Sequence, residues 1–404
     1  MPAVIIIADD LSGAADSGVS FAEQGYQTHV IWDVKDSPPG DVLVLSTESR
    51  HMTRDQAASV VQNTAAQLSN PDDSVLIYKK IDSTLRVHPA AELLAVMVGL
   101  GISRALVAPA FPAQNRTTVA GIQYVDGCPL DQTSFGEEVS TANVRDLFFD
   151  KYVHSVFLPL EVVRQGPVAI RTVLQNSAAQ RFIAIADTET MDDLTALVKA
   201  ARAESIRLFC GSAGLAMALS QTLQRKPLVP YPEDSSRHGV GVLGVIASRS
   251  ANTVQQIAYA ETCGIHSVCP EVSWFLDASA SVEPVIEVLK EHLSSRGAAL
   301  LTAHELPDLP GKSMLICSRL AEVARALMLI APPAGLVLTG GDMVYQLSTA
   351  LDAQAIALRG QVHPGVPWGI FMGGLAYGCP VVTKAGGFGE RGVLVDALQF
   401  LKMK

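Results

Sequence analysis

Residues 3–16 read AVIIIADDLSGAAD. An apolar run ends abruptly in two adjacent carboxylates, Asp9 and Asp10. A small-residue segment with the character of a helix start follows at once, and a third carboxylate, Asp16, comes about one turn later. A continuous apolar run of this length reads as a strand buried on both faces. A strand leading straight into a helix is the first half of a βα unit. One Asp at that junction would serve as an N-cap. A second acid beside it needs another reason.

Working outward, the same rhythm repeats. Apolar, β-branched runs at 28–32, 41–47, 74–80, 104–110 and 182–187 predict strands, and segments 54–68 and 89–100 have helix-forming composition. That alternation predicts a mostly parallel sheet with helices on its faces. Residues 117–135, TTVAGIQYVDGCPLDQTSF, break the rhythm around an Asp-Gly pair and predict a β-hairpin excursion. RKPLVPYPEDSSRHG, residues 225–239, holds three prolines and mixed charges and reads as a linker. Beyond it the alternation restarts at 239–248, 299–304, 335–340 and 380–389. The expected architecture is therefore α/β in two domains, 1–228 and 239–404, each a mostly parallel sheet flanked by helices, with the hairpin in the N-terminal domain.

Of the 404 residues, 49% are hydrophobic and only 17% charged, which fits large, well-covered sheets. A net charge of -10 argues against a nucleic-acid or anionic-membrane partner, since either favours a basic face. No basic segment followed by an apolar core and cleavage site opens the chain, and no apolar run is long enough to span a bilayer, so a cytoplasmic location is expected. Six scattered cysteines without a C-x-x-C read as reduced thiols. Nine histidines include no ligand-spaced pair, so nothing points to zinc, and metal ligands stay undefined. LPGKS, residues 309–313, ends like a P-loop. It lacks the required earlier glycine, which is Leu306 here, and reads as a surface turn.

Ligands of open parallel sheets sit beyond the carboxyl ends of the strands. Collecting the polar residues there gives Asp9 and Asp10, then TESR (47–50), KKIDSTLR (79–86) and PAQNRTT (112–118). This set mixes carboxylates with Arg50, Lys79, Lys80, Arg86 and Arg116. Carboxylates accept hydrogen bonds from sugar hydroxyls, and Arg pairs bidentately with a carboxylate or phosphate. Such a pocket suits a small polyhydroxy acid. Taken singly, Asp10 would only cap the helix at Leu11, and Asp9 would be a solvated strand end. Caps do not require four consecutive strand ends to carry such clusters.

The C-terminal half differs. LTGGDM (338–343) is a strand ending in paired glycines. TKAGGFGERG (383–392) is a strand, a Gly-rich loop and a helix start. IASRSANT (246–253) places Ser248, Ser250 and Asn252 at a third junction. Glycines let backbone N–H groups approach an anion, and a helix N-terminus favours negative charge. Three such junctions in one domain predict a nucleotide phosphate site. CGSAGLA (210–216) reads as an isolated turn of structural character.

Together, IADDLSGAAD, STESR, KKIDSTLR, APAFPAQNRTT with GIQYVDGCPLDQT, CGSAGLA, LTGGD, PGVPWG and TKAGGFG resemble the four-carbon acid sugar kinase family, in the family's order and from residue 5 to about 392. The resemblance implies ATP-dependent phosphorylation of the terminal hydroxyl of an acid such as threonate, erythronate or a 3-oxo form. It implies a sugar-acid-binding N-terminal domain and a nucleotide-binding C-terminal domain, with Mg²⁺ accompanying ATP. Asp9, Asp10, Arg50, Lys80, Asp82 and Arg86 would then face the substrate. Ser248, the Gly340–Gly341 turn with Asp342 and Met343, and Gly386–Gly387 would face ATP. Three departures stand out. The family continues KKIDSTLR with Gly-Asn, where this chain has Val87–His88. The usual Gly before RTT is Asn115. After the GGD the family has Thr or Ser, where this chain has Met343.

On that reading Arg50 and Arg86, with a lysine, clamp the substrate. One of Asp9 and Asp10, expected to be Asp10, orients or deprotonates the hydroxyl. The glycine turns and one Mg²⁺ hold the triphosphate, and closure between the domains excludes water. Adjacent strand residues point to opposite faces, so the two Asp should not do the same job. The rivals are a kinase of a different small or branched keto-sugar acid and a non-catalytic sugar-acid sensor. The oligomeric state is left open.

Overall fold

The computed structural model describes residues 2–68, 72–177, 179–227 and 239–404. The chain divides into two compact units, residues 2–28 with 39–227, and residues 29–38 with 239–404. Most of the segment expected to be a linker, residues 228–238, lies outside the described residues.

The sheet of the first unit has the spatial order Val42–Ser46, Val4–Ala8, Leu76–Lys80, Leu208–Gly211, Arg104–Ala108, Phe182–Ala186, His154–Leu158, with every neighbouring pair parallel. From Val4–Ala8 the chain crosses to Val42–Ser46 on one side, then jumps back to Leu76–Lys80 on the other. Right-handed crossovers in opposite directions put the intervening helices on opposite faces. Helices Leu11–Ala22, Ala213–Thr222, Met191–Ala203 and Pro167–Gln175 form one layer, and Arg54–Gln67 packs with Pro89–Gly99 in another. The reversal opens a crevice between Val4–Ala8 and Leu76–Lys80, the place where α/β sheets bind ligands.

Local chemistry sets the helix starts. Asp10 caps Leu11–Ala22. Thr53 with Gln56, and Thr190 with Asp193, make capping boxes for Arg54–Gln67 and Met191–Ala203. The hairpin excursion is a separate three-stranded antiparallel sheet, Arg116–Val119, Ile122–Val125 and Cys128–Pro129. Both its turns, Ala120–Gly121 and Asp126–Gly127, have two residues at positive φ, the I′ geometry that matches strand twist. Asp187 ties this sheet down by accepting from the N–H groups of Ala120 and Gly121, each at 2.8 Å.

In the second unit the order is His266–Val268, Ala298–Thr302, Val242–Ile246, Gly335–Thr339, Pro380–Lys384, Val366–Met372, Ala355–His363. The first five are parallel and the last two antiparallel. Here the reversal falls between Val242–Ile246 and Gly335–Thr339. The antiparallel pair went unread in the sequence, where glycines interrupt its apolar residues. The 309–313 segment is indeed a turn leading into helix Ser313–Ile330, with no strand running into it. Thr28–Ile31 is also a strand. Among the described residues no helix is long and apolar enough to cross a membrane.

CGSAGLA is more than a turn. Leu208–Gly211 is a central strand, and Ser212 caps the next helix while donating to Ala110 O at 3.0 Å. A Cβ on Gly211 would lie 2.4 Å from Ala108 O and 2.8 Å from a Leu215 methyl. Neither the backbone nor the core can yield cheaply. Gly211→Ala should therefore destabilise the chain by about 1–3 kcal/mol, read as a lowered urea midpoint at unchanged slope.

Candidate functional site

The acids that end the first strand hold one guanidinium between them. Arg50 Nε donates to Asp9 Oδ2 at 2.7 Å, and Arg50 NH1 donates to Asp10 Oδ2 at 2.5 Å. Asp9 and Asp10 follow the last strand residue, Ala8, and their carboxylates converge on the one guanidinium. Asp10 Oδ1 also accepts from Gly13 N at 2.8 Å, so this residue is cap and site residue at once. Both carboxylates are buried, at 4% and 6% exposure, whereas the Arg50 side chain keeps 26%. Two of the five guanidinium donors are used by the pair, which leaves donors for a planar anion.

Burial makes the two carboxylates diverge. For Asp9 it opposes the charge, but Arg50, Lys79 and Lys80 outweigh it and hold the carboxyl at about 2. For Asp10 burial wins, helped by the Asp9 charge and opposed by Arg50 and Lys80, and the carboxyl rises above its ordinary range. Asp16, one turn on, is also raised by burial, with Lys80 pulling the other way. Lys80 Nζ donates to Ile81 O at 3.1 Å and lies over Gly13, where an added Cβ would meet it at 3.4 Å. Asp9 Oδ1 is buried and has no hydrogen-bond partner.

Behind this cluster Lys79 pairs with Glu92 at 2.8 Å, both almost wholly buried. Glu92 accepts from Ser49 Oγ at 2.5 Å, and Ser49 meets Thr47 Oγ1 at 2.9 Å. Thr47 donates in turn to Ala8 O at 2.9 Å. This chain of bonds fixes the 47–50 loop that carries Arg50. Lys79 is therefore a structural ion, and the adjacent Lys80 belongs to the strand-end cluster. Glu92 was not singled out in the sequence; its only signal there is a lone acid on a largely apolar helix.

On the next loop Asp82 accepts from Arg86 Nε and from Thr84 Oγ1, the latter at 2.7 Å. Burial raises the Asp82 carboxyl, but Arg86 and Thr84 more than reverse it and hold it below its usual range. Asp82 thus anchors Arg86, which also reaches Glu138 at 3.3 Å. Gln123 of the hairpin sheet donates to Ser83 O at 2.8 Å and steadies the same loop. Arg116 stands apart from this network. Its NH1 donates to Gln114 O, and its Nε is buried without a partner.

In the second unit, Ser248, Gly340 and Gly386 follow the ends of three adjacent strands. Gly340, at φ 89°, precedes helix Gly341–Ala350, whose first turn holds Asp342. Met343 is fully buried, so the side chain expected to face ATP is out of reach, and only its backbone N–H belongs to that helix start. A Cβ on Gly386 would meet Ser248 Oγ at 2.6 Å, whereas Gly387 has open space around it. Ser248, Ser250 and Thr253 form a hydroxyl cluster, with Ser248 and Thr253 at 3.1 Å and Ser250 and Thr253 at 2.9 Å. Lys384, Thr253 and Gln256 were not singled out in the sequence. Lys384 ends an apolar strand and Thr253 and Gln256 sit in an ordinary helix, so residue type alone carried no signal. Among the described residues no group of three or more His, Cys, Asp or Glu side chains is placed to hold a metal ion.

Two α/β units, each with a polar cluster beyond its strand ends, define the class: a two-domain α/β protein with a candidate ligand site in each unit. Comparison with known proteins places it more narrowly. The family pattern described as a sugar-binding N-terminal domain matches residues 4–219, and that of a nucleotide-binding C-terminal domain matches residues 243–394. The chain is 33% identical to the D-threonate kinase of Salmonella typhimurium, over 99% of this chain and 98% of that one. It is 29% identical to the D-erythronate kinase of Heliobacterium modesticaldum, over 100% and 98%. A solved structure from Haemophilus influenzae, at 19% identity, shares the fold with a TM-score of 0.76 over 98% of this chain and 100% of that one. The chain belongs to the four-carbon acid sugar kinase family.

Two positions that the sequence resemblance set apart have unusual backbones. Val87 sits at φ 72°, and Asn115 sits at φ 56°. Asn tolerates the left-handed region, but a β-branched residue there is strained by about 1–2 kcal/mol. Val87→Gly should raise the urea midpoint, by about 1 kcal/mol after the greater chain entropy of Gly is subtracted. Val87→Ala, which keeps a Cβ, should recover only part of it.

Proposed function

We propose that this chain is an ATP-dependent kinase that phosphorylates the terminal hydroxyl of a four-carbon sugar acid. The observation that carries the reading is Arg50, pinned by Asp9 and Asp10 at the switch point of the first unit with donors to spare. The relatives named for threonate and erythronate, aligned over nearly the whole chain, support the substrate class.

Arg50 and Arg86 take the substrate carboxylate, with Asp82 holding Arg86 in place and Lys80 adding positive charge. Asp9 accepts a hydrogen bond from the reacting hydroxyl. Its unpartnered Oδ1 supports this choice over Asp10, whose two oxygens already serve Gly13 and Arg50. Geometry ranks before pKa in choosing such a group. A carboxyl held at about 2 is a weak base, so its task is to align the hydroxyl. A loose phosphoryl-transfer transition state asks for little more. Asp10 anchors Arg50 and the helix.

The nucleotide phosphates lie against Ser248, the Gly340–Gly341 turn and Gly386–Gly387. The open space at Gly387 and the hydroxyls of Ser248 and Ser250 suit phosphate oxygens. Mg²⁺ neutralises those phosphates when bound, and Asp342 offers the single carboxylate such a site uses beside phosphate oxygens.

Incubation with ATP, Mg²⁺ and a panel of threonate, erythronate and 3-oxo acids should release ADP with at least one of them. Tight sugar-acid binding without ADP release would favour a sensor instead. Asp9→Asn should lower kcat by about 100-fold and, because Asp9 also holds Arg50, raise the KM for the acid, while Asp10→Asn should raise that KM with a smaller effect on kcat. Full activity in both variants would sink the assignment.

A further inference from the structure

The Gly-rich loop after Pro380–Lys384 is organised around a buried cation. Lys384 is 2% exposed, and its Nζ donates to the carbonyls of Ala385 at 3.0 Å, Gly386 at 2.9 Å and Phe388 at 3.0 Å. No ion pair joins it to a carboxylate among the described residues. A buried charge without a counter-ion is costly. From the other side, the start of helix Ala251–Thr262 grips carbonyls of the same loop, Gly386 O and Phe388 O among them. Ser250 and Thr253 donate to Gly386 O, Asn252 donates to Gly387 O, and Gln256 donates to the carbonyls of Phe388, Gly389 and Glu390.

The peptide plane turns this into an orientation. A planar trans peptide points its N–H opposite to its C=O. Drawing the carbonyls of Ala385 and Gly386 toward Lys384 therefore aims the N–H groups of Gly386 and Gly387 away from it. Gly386 lies against Ser248 Oγ, and Gly387 borders open space. Two outward N–H groups on a glycine loop, with a positive charge beneath them, make an anion cradle. Thr339, beside Lys384 in the sheet register, adds a buried hydroxyl with no partner.

We propose that Lys384 is a positioning residue for nucleotide phosphate, holding the 385–389 loop with its N–H groups turned toward the bound anion. This rests on the nucleotide reading of the second unit. Lys384 touches no phosphate itself; it acts through the peptide groups and through its charge.

Binding of ADP and of a non-hydrolysable ATP analogue, followed by calorimetry, tests it in wild type and in Lys384→Met. The variant should bind both at least tenfold more weakly, and the KM for ATP should rise while the KM for the sugar acid changes less than twofold. A second test needs no variant. Burial lowers the Lys384 ammonium to about 8, so its charge is present at pH 7 and lost as pH rises through that value. The groups facing it are the three carbonyls, and Ser250, Asn252, Thr253 and Gln256 of the adjoining helix do not titrate. Wild-type affinity for the analogue should therefore fall about tenfold or more between pH 7.5 and 9.5, with sugar-acid affinity flat. The unfolding free energy should move the other way, because a buried neutral lysine costs less than a charged one. Unchanged analogue affinity in the variant, or a flat pH profile in wild type, overturns the proposal. If Lys384→Met does not fold, the pH profile decides. A wild-type chain that binds no nucleotide overturns both this proposal and the reading beneath it, whereas loss confined to the variant supports both.

Discussion

The first unit depends on one guanidinium shared by two adjacent carboxylates. Asp9 and Asp10 are buried side by side at the end of a central strand, where two like charges would repel in a low dielectric. Arg50 offsets that repulsion by taking one oxygen from each. Nε serves Asp9 and NH1 serves Asp10, so the pair fixes the guanidinium in direction as well as position. The loop bearing it is held from behind by Lys79, Glu92, Ser49 and Thr47, so the arrangement is built before any ligand arrives. Preorganised donors of this kind cost no reorganisation on binding.

The two units apply one topological device to different chemistry. Each has a switch point in its strand order, and each places its polar residues beyond the ends of the strands at and next to it. The first unit fills its crevice with ion pairs between side chains, where planar forks can discriminate a carboxylate. The second uses hydroxyls, glycine peptides and a buried lysine. Backbone donors reach a tetrahedral phosphate from several sides, and glycine lets them approach. On the proposed reading, the difference in wall chemistry follows from the difference in ligand.

Much of this was legible in the sequence, and the reason is physical. A strand covered on both faces must be apolar throughout, so its end shows as an abrupt change to polar residues. Asp9, Asp10, Arg50, Lys80, Asp82, Arg86, Ser248, Gly340 and Gly386 all stand at such changes. The fold class followed from the same pattern. What stayed hidden were residues whose partners are remote or are backbone. Glu92 and Lys384 are single charged residues in apolar surroundings, and nothing local announces that one meets a lysine and the other three carbonyls. The antiparallel strands at 355–363 and 366–372 were hidden too, because glycines interrupt their apolar residues. Met343 misled in the opposite sense: its place in the motif pointed to the ligand, while its helical position turned the side chain into the core.

The left-handed residues Val87 and Asn115 show how firmly the loops at 82–88 and 112–116 are held. A residue in the left-handed region persists only where its surroundings over-determine it. Asn115 accepts that region at little cost. Val87 does not accept it cheaply, yet it stays at φ 72°. Its two neighbours explain why. Arg86 is tied to Asp82 on one side, and His88 Nε2 meets Met52 O at 3.1 Å on the other. With both flanking residues fixed, the backbone between them cannot relax into a β conformation without releasing Arg86. The strain at Val87 is thus stored against the ion pair that positions Arg86, and the same coupling ties this loop to the 50–53 segment that follows Arg50.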